Sequence, residues 1–481
     1  ASEVAPPGFI NFSLDREWLR RQVDQIIDQA STFGHSDVGQ GETVQVEFVS
    51  VNPTGPIHVG HGRGAVLGSA LANLLDAAGF RVQREYYIND AGNQMDLFFR
   101  SIWARYLQAL GRDEELPGEG YHGSYMADLG KALAEEHGDS FLRQGDPEGV
   151  AALGAIGMER MLEMIRGDLD RISVSFDRWF SEQTLFEGGN TGAYATALAL
   201  IRDKGYTTDR EGAHWFTASV LGGEKDEVIL RSTGAPTYFA SDIAYHYDKF
   251  LVREFERVIN VWGADHQGHV PRMKAVMRAL GLDPERLQFI LVQLVTLKRG
   301  DEVVKLSKRS GDIITLEEVL DEVGPDACRY FFLARSADAQ MDFDLDLAKR
   351  EAPENPVYYI QYAHARIAGI IRGAGEAGLP EAAAGADVSL LSEQAEEQLI
   401  REMLRFPEVV QGAARNLEPH HLPHYALSLA TAFHDFYTRH RVLESEEGAA
   451  VALARLRLVY AARTVLANVL GLMGMTAPDR M

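Results

Sequence analysis

Cysteine is nearly absent from this chain. Cys328 is the only one in 481 residues. A lone thiol excludes an internal disulfide and any zinc centre built on several thiolates. Long apolar runs are also missing, and no charged-then-apolar leader opens the sequence. With neither a spanning segment nor a signal peptide, the expected location is the cytoplasm, with no membrane partner. Positive charge is short as well: 47 Lys+Arg stand against 70 Asp+Glu, a formal charge of -23. That balance argues against binding nucleic acid through overall charge, while local basic patches stay compatible with it. The first residue is alanine rather than methionine, which fits a fragment or a processed chain. What is present, 46% hydrophobic and 24% charged residues, is the composition of a soluble globular protein. The length suits two to four domains around a large core.

The stretch 43–64, TVQVEFVSVNPTGPIHVGHGRG, organises the rest. Residues 44–50 are apolar and β-branched enough for a buried strand. A turn follows, Asn52-Pro53-Thr54-Gly55-Pro56, and then His58-Val59-Gly60-His61-Gly62 at the head of a helix expected over 63–77. A strand, a Gly-rich turn and a helix start together make an anion site, because free N–H groups and the helix dipole point at the ligand. Two histidines three apart would share one face of that first turn and could donate to phosphate oxygens. The plainer alternative is a strand–turn–helix with two surface histidines. No Gly-Lys-Ser/Thr follows, so this is not a P-loop, and prolines and histidines interrupt any dinucleotide fingerprint.

Further along, Gly79 and a strand over 81–88 complete a βαβ unit, with Asn89, Asp90, Asn93 and Gln94 just past the strand's C-terminal end, where parallel sheets place ligands. Helical runs are expected at 95–109, 124–137 and 148–168, then short strands after Ala213. Tyr238 and Asp242, four apart, share a helix face; a hydroxyl beside a carboxylate suits a cationic substrate, or the two form a surface pair. A strand at 257–263 delivers Ala264-Asp265-His266-Gln267-Gly268-His269, whose Asp-His-x-x-His spacing also admits a metal. Lys305-Leu306-Ser307-Lys308-Arg309 is a basic pentad before Ser310-Gly311: either an exposed basic turn or a loop that neutralises charge building on phosphate. Thr315 with Glu318 forms a capping box. From 351 on, the pattern is almost purely helical, with 11 arginines, no lysine and 16 acidic residues. Helices are expected at 355–372, 392–406, 422–443 and 447–473.

The 43–64 stretch resembles the HIGH signature of class I aminoacyl-tRNA synthetases, and with Glu47, Asn52 and the His58–His61 string it resembles the arginyl-tRNA synthetases in particular. The likeness continues through REYYINDAGNQ (84–94) to the final APDRM, and KLSKR is similar to the KMSKS signature, with leucine for methionine and arginine for the last serine. The resemblance implies an α/β protein: a Rossmann-like parallel-sheet catalytic domain over 43–350 that follows an N-terminal lead and helix (1–42). That domain would hold a connective insertion at about 96–230 and a stem at about 312–350, and an all-helical DALR-type anticodon-binding domain over 351–481 would follow. It implies ATP-dependent ligation of L-arginine to tRNA-Arg through an arginyl-adenylate, with Mg²⁺ accompanying ATP and no zinc.

The residues carried over are His58, His61, Lys305 and Lys308 for catalysis. Gly55, Gly60, Gly62 and Ser307 join them around ATP. Glu47, Asn52, Tyr238, Asp242 and Gln267 would hold arginine, two carboxylates suiting a guanidinium that stays protonated and offers five donors in a fixed fork. Tyr359, Gln361, Tyr362 and His364 are the tRNA-contact candidates, exposed tyrosines being suited to stack on single-stranded bases. The extra N-terminal domain that full bacterial members carry is expected to be missing. Two competing functions are a catalytically inactive tRNA- or protein-binding paralogue and a synthetase for cysteine or glutamate. The first conflicts with intact signatures. The second conflicts with the single cysteine and with carboxylates where a glutamate site needs arginines.

Overall fold

The computed structural model describes residues 2–12, 15–304 and 314–481. Its centre is a five-stranded parallel sheet with the spatial order Leu287–Val292, Arg257–Gly263, Thr43–Glu47, Arg81–Ile88, Arg178–Ser181. Every neighbouring pair runs parallel. The first strand in sequence lies in the middle, and later strands add outward on both sides. The order therefore reverses between Thr43–Glu47 and Arg257–Gly263, and the crevice at such a switch point opens at the C-terminal strand ends. Val44, Val46, Val258 and Ile259 are fully buried there, as a sheet covered on both faces requires.

The strand expected over 44–50 begins at Thr43 and stops at Glu47. Its early end has a backbone cause: Val49 and Ser50 take positive φ values of 68° and 44°. A β-branched residue in that region is strained, and such strain collects at functional sites. The following helix starts at Val59, four residues ahead of the expected 63, and runs to Ala77. Phe48 packs where Gly68 of that helix has no side chain, so strand and helix approach closely.

The strand Arg178–Ser181 lies inside the range read as an insertion, 96–230, yet it is the edge of the central sheet. Two compact parts flank it. The helices Asn93–Ala109, Ser124–His137 and Glu148–Arg171 enclose a small core of their own around Phe98, Ile102, Tyr106, Met126 and Leu153. Beyond it, Thr207–Arg210, Ala213–Phe216 and Glu227–Leu230 form a three-stranded antiparallel sheet.

Residues 1–12, expected to be an irregular lead, contain an antiparallel hairpin of Ser2–Ala5 and Phe9–Phe12. The helix after it runs Arg16–Gln29 and is capped by Asp15, whose carboxylate accepts from the Glu17 N–H; Ser13, whose residue type also suits a cap, lies outside the described residues. In the C-terminal region, Asn355 caps the helix Pro356–Glu376, with proline in its first turn. The helices Gln394–Leu404, His421–Arg439 and Ala449–Leu472 match the expected ones in kind, but Phe406–Asn416 is a further helix where none was expected. It starts directly after Arg405, so two helices looked like one apolar stretch with a loose end.

One core runs from the sheet into this bundle. Arg329, fully buried, ties the parts together: its guanidinium donates to the Met473 and Ile172 carbonyls and to Ser69 Oγ. Arg63 does the same nearer the crevice, donating to the carbonyls of Gln293, Ser336 and Ala339 at 2.8–2.9 Å. Buried guanidiniums satisfied by carbonyls fix the relative placement of the segments that supply them.

Candidate active site

The helix Val59–Ala77 opens on the crevice. His58 is its N-cap, and its imidazole Nδ1 accepts the Gly60 N–H at 3.0 Å. This bond leaves Nε2 as the protonated nitrogen, free to donate. The His61 ring lies 6.2 Å from that of His58, edge to face. Burial lowers the pKa of both rings, and for His61 the neighbouring His58 adds to the effect. Both are therefore neutral near pH 7 and act on phosphate as hydrogen-bond donors rather than as cations.

The three glycines have different reasons. Gly60 leaves room for the His58 ring, which would lie 3.1 Å from a Cβ there. Gly55 faces the Tyr125 hydroxyl at 3.0 Å, and that hydroxyl donates to Thr54 O. Gly62 is buried, and a Cβ on it would meet Leu316 at 2.7 Å. Its smallness lets the helix that starts at Leu316 pack closely.

Leu316 belongs to the segment that follows the KLSKR stretch. Lys305, Ser307 and Lys308 lie outside the described residues. Both flanks of that stretch are described, and both reach His58. On one side, a cavity of about 210 Å³ is lined by His58, Val59, Thr296, Leu297, Val303 and Ile314 among others. On the other, Val59 N–H donates to Ile314 O at 3.2 Å and Leu316 N–H to Ile57 O at 2.8 Å. The Thr315–Glu318 capping box is present as expected and starts the helix Leu316–Val323.

Across the crevice the charge is negative. Glu47 ends the middle strand; its Oε1 accepts from Ser50 Oγ at 3.1 Å, and its Oε2 accepts from the buried Lys249 ammonium at 2.5 Å. Asp242 sits in the second turn of the helix Tyr238–Tyr247. Burial, then the charges of Glu47 and Glu182, push its carboxyl up to about 7, against the opposing pull of Arg272 and Lys249. Glu182 is buried as well, and burial raises its carboxyl, with the Asp90 charge in the same direction; it shares hydrogen bonds with Tyr87 and Ser241. The Tyr87 phenol, at the end of its own strand, feels all three carboxylates and is raised first by burial. Three carboxylates around one phenol repel each other until a cation enters.

The remaining expected residues differ in placement. Asn52 Nδ2 donates to Gln94 Oε1 at 3.1 Å, and Gln94 in turn donates to the Tyr121 hydroxyl, so Asn52 sits at the rim in a polar chain. Tyr238 is 54% exposed at the start of its helix, one turn above Asp242. Gln267 is exposed on the turn Ala264–His269 that continues the strand Arg257–Gly263. Asp265 and His266 in that turn lie 3.6 Å apart, and the three donors that converge among the described residues, Glu418, His420 and His421, are in the helical domain instead. In that domain Tyr359 and Tyr362 are partly exposed, with Tyr362 stacked on Tyr358 at 5.8 Å between ring centres. Gln361 and His364 are buried: Gln361 donates to Asp326 and Thr476, and His364 Nδ1 meets Pro478 O at 2.9 Å. Both bind the chain's own C-terminal segment and are not presented to a partner.

Sequence reasoning missed Glu182 and Lys249. Glu182 has no motif around it, but Asp90, noted past a strand end, accepts from Ser181 Oγ and the Gln183 N–H on either side of it. Lys249 lies seven residues past Asp242 with no motif around it.

A parallel sheet whose switch point opens beside a histidine-led helix is the catalytic architecture of the class I aminoacyl-tRNA synthetases. Two family models match: tRNA synthetases class I (R), catalytic domain, over residues 22–332, and the DALR anticodon binding domain over 360–481. The chain belongs to the arginyl-tRNA synthetase family. An arginine–tRNA ligase of Dehalococcoides mccartyi strain CBDB1 is 56% identical over 478 residues, spanning 99% of this chain and 85% of the relative. That of Heliobacterium modesticaldum is 51% identical over 484 residues, 100% of this chain and 85% of its own. A solved chain from Campylobacter jejuni superposes with a TM-score of 0.88 at 34% identity, covering 97% of this chain and 100% of that one. The Thermus thermophilus arginyl-tRNA synthetase shares the fold, with a TM-score of 0.77 at 24% identity over 100% of this chain and 88% of that one.

Proposed function

We propose that this protein joins L-arginine to tRNA-Arg at the expense of ATP, through an arginyl-adenylate. The observation that carries this is the meeting, at one switch point, of neutral histidine donors on a helix start and a pocket of three carboxylates. The first suits phosphate; the second suits a guanidinium. The arginine carboxylate attacks the ATP α-phosphorus, the bond to the β-phosphate oxygen breaks, and pyrophosphate leaves. Mg²⁺ enters with ATP as part of that substrate. The 2′-OH of the terminal adenosine then attacks the adenylate carbonyl, giving the ester and releasing AMP. No protein nucleophile is needed; the chain's work is alignment and charge stabilisation.

His58 and His61 donate to the phosphates, Lys305 and Lys308 neutralise the charge that builds on them, and Ser307 also binds ATP. Glu47, Glu182 and Asp242 surround the substrate's positive charge, with Asn52, Tyr238 and Gln267 at its rim. Gly55 and Gly60 leave the turn open for ATP. Residues 43–350 act as the catalytic unit, with the connective part near 96–230 and the stem near 312–350. Residues 351–481 receive the tRNA, with Tyr359 and Tyr362 as base-stacking platforms. No described helix is long and apolar enough to cross a membrane, and we place the reaction in the cytoplasm without zinc.

The test is ATP–pyrophosphate exchange across amino acids, with and without tRNA-Arg. Arginine-dependent exchange is expected when tRNA is present. Exchange with another amino acid, or with none, overturns the assignment, the latter in favour of an inactive tRNA-binding paralogue.

A further inference from the structure

A fully buried lysine needs a reason. Lys249 is 0% exposed, and burial, with the Arg253 charge in the same direction, lowers the pKa of its ammonium, while Glu47 and Glu85 oppose that shift. It follows the helix Tyr238–Tyr247 in a widened turn, Asp248–Val252, with π-type spacing. Such turns rotate one residue out of the helical register and are frequent at functional sites. Here the rotation points Lys249 inward.

All the donors of this ammonium are engaged. It donates to Glu47 Oε2 at 2.5 Å and to Asn260 Oδ1 at 3.2 Å, and it lies 4.0 Å over the Tyr245 ring centre. Asn260, fully buried on the neighbouring strand, continues the path: its Nδ2 donates to His246 Nε2 at 3.2 Å. His246 Nδ1 then donates to the Asp242 backbone carbonyl at 2.8 Å. Those two bonds define one tautomer, and burial, with the Lys249 charge behind it, holds His246 neutral, down to about 3. A second cation, Arg253, is occupied by Glu85 and Asp248 at the back of the same network. Lys249 is therefore the buried cation that meets Glu47.

We propose that Lys249 is a positioning residue for the substrate pocket: its ammonium clamps Glu47 directly and, through Asn260 and His246, anchors the backbone of Asp242. One internal charge thus sets the spacing of two carboxylates that lie on different elements, a strand end and a helix turn. This rests on the assignment of those carboxylates to arginine. The alternative is a merely structural ion pair, and breaking such a pair destabilises any protein. The test must therefore read more than stability.

The groups facing Asp242 are Glu47, Glu182, Tyr87, Arg272, His246 and Lys249. Without Lys249, Asp242 loses a charge that favours its ionised state, so arginine binding sets in at higher pH. In tRNA-dependent exchange, Lys249→Met should raise the KM for arginine roughly tenfold or more while the KM for ATP stays within about twofold. The rise of 1/KM for arginine with pH should shift upward by about one pH unit. Asn260→Ala, which removes the relay and keeps the ammonium on Glu47, should raise the arginine KM roughly threefold with the pH midpoint in place. Equal changes in both KM values, or an unmoved midpoint in Lys249→Met, overturn the proposal. If Lys249→Met does not fold, Asn260→Ala decides alone: an arginine-selective KM change supports the relay, and a change in thermal stability only overturns it. Wild-type protein without arginine-dependent exchange would instead overturn the functional assignment itself.

Discussion

The Leu316 N–H donates to the Ile57 carbonyl at 2.8 Å. This single bond joins the residue just before the histidine turn to the first residue after a cap that closes the KLSKR segment. Thr315 makes that cap, accepting the Glu318 N–H while the Glu318 carboxylate takes the Thr315 N–H. Thr315→Ala should cost about 1 kcal/mol of stability, the usual value of a lost N-cap. It should also lower kcat in exchange, because the bridge between Thr315 and His58 loosens. Thermal unfolding and exchange kinetics on the same preparation check this. A lower melting temperature with unchanged kcat would separate the cap from catalysis.

Asp242 should make arginine binding depend on pH. Burial, then the charges of Glu47 and Glu182, push its carboxyl up to about 7. A folded value above the unfolded one means that the folded state keeps a proton the unfolded state has lost, so this group's contribution to stability falls as pH rises from about 4 to about 7. A guanidinium needs the ionised form, and its binding releases that proton. The arginine KM should therefore fall between about pH 6 and about pH 8, with the ATP KM nearly flat. Asp242→Asn should abolish this dependence and raise the arginine KM roughly tenfold or more, with little effect on ATP. Equal effects on the two substrates would remove Asp242 from the arginine pocket.

Glu182 gives a sharper version of the same test, since no motif pointed to it. It is 4% exposed and shares hydrogen bonds with Tyr87 and Ser241. Glu182→Gln preserves shape and removes charge. The arginine KM should rise roughly tenfold, as for loss of a charged hydrogen bond in a partly buried site. Arginine protection against thermal unfolding should shrink in parallel. An unchanged arginine KM would make Glu182 a support of Tyr87 only.

What the sequence revealed depended on how local each signal was. The strands Arg81–Ile88 and Arg257–Gly263 and the Thr315 cap could be read at their true bounds, because propensity and capping act within a few residues. The strand ending at Glu47 ran too long on paper, since Phe48 and Val49 are β-formers by type, whereas Val49 and Ser50 take positive φ values next to the close approach of Phe48 to Gly68. Arg178–Ser181 hid inside an apparent insertion because its pairing partner, Glu85 to Ile88, lies some ninety residues earlier. Two of the three pocket carboxylates could be seen through motif likeness, Glu47 and Asp242. Glu182 and Lys249 could not, because nothing short-range distinguishes a buried charge from a solvated one.

Neighbours on one helix should behave oppositely in the tRNA domain. Gln361 is 9% exposed and donates to Asp326 Oδ2 at 2.7 Å and to Thr476 O at 3.2 Å. Those bonds join the helix Pro325–Leu333 to the C-terminal segment, so Gln361→Ala removes a hydrogen bond to a carboxylate at a cost of about 1.5–3 kcal/mol. Tyr362, next to it, stacks on Tyr358 and on His434 at 6.1 Å, with the Arg366 guanidinium 4.6 Å over its ring. A partly exposed aromatic with a cation on its face is a platform for an unpaired base. Tyr362→Ala should raise the KM for tRNA-Arg roughly tenfold, a stacking contribution of about 1–3 kcal/mol, and leave tRNA-saturated exchange intact. Gln361→Ala should lower the melting temperature and leave the tRNA KM within about twofold. Aminoacylation against tRNA concentration, run beside thermal unfolding for both variants, reads the difference. The opposite pattern would make Gln361 the contact and Tyr362 part of the core.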